Sequence, residues 1–138
     1  MMSQVYFLEL VYLTIGSMML LSDTHGVKFP ILLSLRYAFR SVSWVRHLLI
    51  EGGCVLGILS IFFPYEPGPP LLGDFLITVT IFPLVVWYIA IARRQAHGRV
   101  SGIVDDAASV IERNKHELGK AVFVIAVIHF LFPMIVLL

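Results

Sequence analysis

Between Arg46 and Pro64 the chain reads RHLLIEGGCVLGILSIFFP. The run opens on a cation and a histidine, holds one carboxylate, Glu51, and then stays apolar to a Phe-Phe-Pro stop. At 1.5 Å of rise per residue, it is nearly long enough to cross about 30 Å of hydrocarbon as a helix. Gly53 and Gly57, four apart with Gly52 beside them, add the small-residue spacing that lets two membrane helices approach closely.

The rest of the chain follows the same plan. Four apolar runs are expected as spans: about Val5–Leu21, His47–Phe63, Leu71–Ala92 and Lys120–Leu138. With 59% apolar residues, 14% charged residues and a mean hydropathy of +0.91, the chain lies outside the range of soluble globular proteins. Its 138 residues read as a single transmembrane domain over 1–138. The first run has no basic leader segment, contains Glu9 and is followed by no small-x-small cleavage site, so it reads as a span and not a signal peptide.

The ten Lys and Arg residues fall in two places only. Lys28, Arg36, Arg40 and Arg46 lie between the first and second runs; Arg93, Arg94, Arg99, Arg113, Lys115 and Lys120 lie between the third and fourth. Cations are retained on the cytoplasmic side of a membrane. The expected fold is therefore an all-α integral membrane protein, a four-transmembrane-helix bundle with both termini and the turn PYEPGPP outside. The expected setting is a bacterial inner membrane.

Both cytoplasmic loops carry helical pattern. From Pro30, ILLSLRYAFRSVSWVRH places Leu32, Leu35, Phe39 and Val42 on one stripe and Arg36, Arg40, Ser43 and His47 on the next. This predicts an amphipathic helix lying in the interface, with Tyr37 and Trp44 at headgroup level and Arg36, Arg40 and Trp44 as candidates for lipid-headgroup contact. In the second loop, DDAASVIERNKHEL predicts a polar helix whose stripe of Val104, Ala107, Ile111 and Leu118 needs a covering surface, ended or bent at Gly119. Pro83 predicts a kink in the third span, with Thr80 available for the freed carbonyl, and Trp87 and Tyr88 read as inner-interface markers. Arg46–Pro64 also aligns with KHELGKAVFVIAVIHFLFP, Lys115–Pro133, a match that a duplicated hairpin would produce.

Charge within hydrocarbon costs about 2.5–3.5 kcal/mol at a span's centre, so Glu9 and Glu51 require explanation. Together with His129 and Asp74 they are the candidate intramembrane polar residues, serving as a proton path or as partners for other helices. The local alternative for Glu51 is an ion pair with Arg46 or His47. For Glu9, the polar seam with Tyr12 and Gly16 suits a helix contact. The candidate packing residues are Gly16, Gly52, Gly53 and Gly57.

No bound group is expected. His47 and His129 differ in expected depth by roughly 13 Å, too far apart to ligate one haem within the chain. Cys54 is the single cysteine, which excludes an intrachain disulfide and a thiolate cluster. The chain has no HExxH, GxSxG, phosphate-binding glycine loop or CxxC, so it is read as no enzyme, with no cofactor and no metal. The expected role is a small non-catalytic integral membrane subunit that anchors or braces a larger complex. The alternative is a homo-oligomeric proton or cation transporter using Glu9 and Glu51. Expected partners are membrane lipids and other integral membrane subunits, with no nucleic acid.

Overall fold

A computed structural model describes residues 2–26, 28–62, 75–98 and 102–131. Six helices hold almost all of them: α1 Met2–His25, α2 Pro30–Ser41, α3 Ser43–Phe62, α4 Phe75–His97, α5 Ile103–Arg113 and α6 Lys115–Leu131. There is no strand among the described residues. Within α1, α3 and α4, the segments Gln4–Asp23, Ser43–Phe62 and Leu76–His97 are long and apolar enough to cross a membrane. The protein is an all-α chain with three such helices. The fourth expected span falls on α6 and the residues after it; α6 is 17 residues long, and 132–138 lie outside the described residues.

The main helices alternate in direction. Tyr6 of α1 meets His129 of α6, Leu20 and Leu21 crowd Gly119, and His25 stacks on His116 with ring centroids 5.6 Å apart. These contacts make α1 and α6 antiparallel along nearly their whole length. The α3–α4 pair is built likewise: Gly57 lies against Ile81 and Phe82, Gly53 against Val85, and Arg46 Nη1 donates to Gln95 Oε1 at 2.9 Å. The two pairs join where Gly16 of α1 lies against Leu84 of α4 and Tyr12 donates to Leu49 O of α3 at 3.0 Å. Leu13, Ile77, Ile81 and Tyr88 are fully buried at that junction.

Local sequence explains the short helices. Phe29 is extended (φ −127°, ψ 92°), as the residue before a proline prefers, and Pro30 then starts α2. Leu32 and Phe39 are buried on α2 while Arg40 faces out. Val42 is extended and separates α2 from α3. Gly98, at φ 73°, ends α4 with its N–H on Arg94 O, a left-handed C-terminal stop that glycine adopts without strain. Asp105 and Asp106 occupy the first turn of α5, where the helix dipole favours them.

Several local expectations change. The break between the two last helices falls at Asn114, whose side chain donates to Val110 O at 3.1 Å, and not at Gly119. Gly119 lies inside α6 because a side chain there would meet Leu21 at 2.8 Å. Within α4, Thr80 donates to Leu76 O at 2.6 Å, not to the carbonyl that Pro83 frees. Trp87 and Tyr88 are buried, clustered with Phe39 and Tyr12 at centroid distances of 5.2–6.3 Å, instead of facing headgroups. Their amphipathic rings suit an interface, but Phe39 of α2 covers them.

Candidate functional site

The bundle interior holds one group of polar side chains from three helices. Glu9 on α1 is 2% exposed, and Ser60 on α3 donates to its Oε1 at 2.6 Å. One turn earlier on α1, Tyr6 donates to the backbone O of His129 on α6 at 2.6 Å, with the two rings 4.7 Å apart. His129 is itself 1% exposed. His129, expected mid-span from the sequence, lies level with Tyr6 of α1. Glu9 and His129 thus share one end of the molecule. Each is enclosed by helices, the arrangement a buried polar group needs within an apolar layer.

Glu51 is not part of this group. Nine residues separate it from Ser60, and at 100° per residue that is half a turn, so the two lie on opposite faces of α3. Glu51 is exposed and has no hydrogen bond or ion pair among the described residues. Neither expected local partner takes it: Arg46 donates to Gln95, and His47 Nδ1 lies 2.8 Å from Ser43 O. Glu51 stands eight residues into the 20-residue α3, about 12 Å along its axis. A carboxylate therefore interrupts an outward-facing, largely apolar surface. Asp74, the remaining candidate, lies outside the described residues.

At the opposite end from Tyr6, Asp23 of α1 is paired with both Arg36 of α2 and Lys115 of α6. Arg94 of α4 binds Asp105 Oδ1 at 2.9 Å and Glu112 Oε1 at 2.8 Å, holding α5 against α4. Of the expected headgroup contacts, Arg36 is in the Asp23 pair, while Arg40 and Trp44 are exposed. On α5, Ala108 and Ile111 are buried; of the stripe expected to need a covering surface, Ile111 is covered and Val104 partly so, while Ala107 and Leu118 are exposed.

The glycines divide by role. A methyl at Gly16 would meet Leu84 at 2.6 Å, and one at Gly53 would meet both Val85, at 2.5 Å, and the Tyr12 side chain. Gly57 makes ordinary contact with Phe82 at 3.4 Å, whereas nothing lies within 4 Å of a side chain added at Gly52. Sequence reasoning missed Tyr6, Ser60 and Asp23 as partners. Ser60 carried a usable signal, since 49, 53, 56, 57 and 60 follow helical spacing on one face of α3; Asp23 and Tyr6 carried none without knowing which helices meet.

Residues 2–129 match a family described as a domain of unknown function, and the chain belongs to that family. No curated protein and no solved structure matches it.

Proposed function

We propose that this member of the family is a small non-catalytic integral membrane subunit that anchors or braces a larger membrane complex. The observation carrying this reading is the outer face of α3. Leu48, Glu51, Val55, Ile58 and Phe62 recur at alternating steps of three and four, and all are exposed. That spacing is the seam along which one helix packs on another. Lipid accommodates the four apolar residues without help, but not the carboxylate, whose exposure near a span's centre costs about 2.5–3.5 kcal/mol. A neighbouring helix offering a basic or hydrogen-bond-donating side chain at that depth removes the cost. The open space at Gly52 lets such a helix come close.

The proposed arrangement has four crossings, both termini outside and basic loops in the cytoplasm of a bacterial inner membrane. Three observations support it: the two-cluster distribution of Lys and Arg, the alternating directions of α1, α3, α4 and α6, and the close pairing of α6 with α1. The non-catalytic reading is supported by how the buried polar side chains are used: Ser60 donates to Glu9 and to Leu56 O, and Tyr6 to His129 O, so they tie helices together.

Purification from native membrane in mild detergent tests the reading. Other integral membrane chains should co-elute; elution as a stable lone monomer overturns it. The alternative, a homo-oligomeric proton or cation channel, draws on the same face, with Glu51 lying between copies. Flux into reconstituted vesicles that survives Glu9→Gln combined with Glu51→Gln removes that alternative.

A further inference from the structure

A cavity of about 140 Å³ lies at the basic end of the bundle, walled by α1, α2, α4, α5 and α6. Its charged lining consists of Asp23, Arg36, Arg40, Glu112 and Lys115. The charges do not cancel. Asp23 alone serves both Arg36 and Lys115, and Glu112 is held from outside the cavity by Arg94. Arg40 has no acidic partner among the described residues. The lining therefore presents a net positive charge in a partly enclosed space, where salt screens it less than at an open surface.

A second, independent observation concerns Trp87, which also lines the cavity. It is 6% exposed, and its buried Nε1–H has no acceptor among the described residues. Indole is a donor only, and a buried donor left without an acceptor costs about 1–3 kcal/mol. Three cationic side chains and an indole whose N–H has no acceptor among the described residues thus line a space with too few acceptors. The volume is well below the roughly 300–1,000 Å³ of a site for a drug-sized molecule, and suits a single tetrahedral oxyanion.

We propose that this cavity binds a phosphate-class anion, supplied either by the headgroup of a cytoplasmic-leaflet lipid or by free phosphate. Arg36 and Lys115 flank the anion while remaining on Asp23, Arg40 approaches from the rim, and Trp87 Nε1–H completes the donor set. Met19, Phe39 and Ile91 form the apolar part of the wall. This site lies inside the bundle and is separate from the α3 seam, so it stands or falls independently of the role assigned above.

The test is thermal unfolding of the detergent-purified protein with three additions: inorganic phosphate, a short-chain lysophosphatidylglycerol, and sodium chloride at matched ionic strength. A specific anion raises the melting temperature by an amount that grows with the logarithm of its concentration above Kd. Stabilisation by phosphate assigns the site to a free anion; stabilisation by the lysolipid alone assigns it to a headgroup. Arg40→Gln and Trp87→Phe should each weaken the stabilising anion by about tenfold, since a hydrogen bond to a charged group is lost in both. Arg40 is exposed, so its variant is expected to fold normally. The proposal is overturned if chloride stabilises as well as phosphate and the lysolipid do, if neither of these two has an effect, or if Arg40→Gln leaves the shift unchanged.

Discussion

Ser60 has one hydroxyl proton and two acceptors within reach, Glu9 Oε1 at 2.6 Å and Leu56 O at 2.7 Å. The contact ties α1 to α3 across the buried interior. Ser60→Ala removes an α3 donor to Glu9 and is expected to lower stability by about 1–3 kcal/mol, read from thermal or denaturant unfolding in detergent. Glu51 gives the opposite result, because it has no hydrogen bond or ion pair among the described residues. Glu51→Leu should leave the unfolding midpoint of the isolated protein unchanged or slightly raised, while partner chains fall away during native purification. A loss of isolated stability like that of Ser60→Ala would show that Glu51 is held within the chain after all.

At the scale of the helices, α3 is the least covered of the three long apolar ones. It buries 28% of its apolar span against 44% for α1 and 50% for α4, which leaves surface for another chain. Its inner face nonetheless packs tightly, and adjacent glycines report the contrast. Gly53→Ala drives a methyl into Val85 and Tyr12 and is expected to cost about 1–3 kcal/mol through overpacking. Gly52→Ala meets open space and should leave unfolding unaffected or improve it slightly, since alanine favours helix over glycine. Equal effects of the two substitutions would contradict the assigned rotation of α3. Helix α5 is held differently, by the two ion pairs of Arg94 and by Ala108 and Ile111. Both contacts are made to α4, which is why α5 lies along the bundle instead of extending from it.

For the whole molecule, the controlling quantity is which side of the bilayer the cations occupy. In a Cys54→Ser background, a cysteine at Arg113 should react with a membrane-impermeant maleimide only after the cell is opened. A cysteine at Glu66 should react in intact cells. Labelling of the Arg113 position from outside would invert or remove one crossing and undo the four-span reading. The cavity near Arg40 belongs to this same scale, because five of the six helices contribute to it.

Much of this organisation was legible from residue order alone. The apolar runs, the two basic clusters and the stripe of Leu32 and Phe39 determined that the chain is helical, membrane-suited and flanked by amphipathic segments, because hydrophobic length and periodicity act locally. The buried state of Glu9 and the outward direction of Glu51 were decided only by tertiary structure. Both are lone carboxylates in apolar helices, and nothing local distinguishes them; what separates them is whether a neighbouring helix covers that face. The same holds for Asp23, whose two partners are brought to it by α2 and α6, and for Tyr88, on which Phe39 of α2 packs. Helix formation depends on neighbours a few residues apart, whereas pairing and burial depend on contacts between residues distant in the chain.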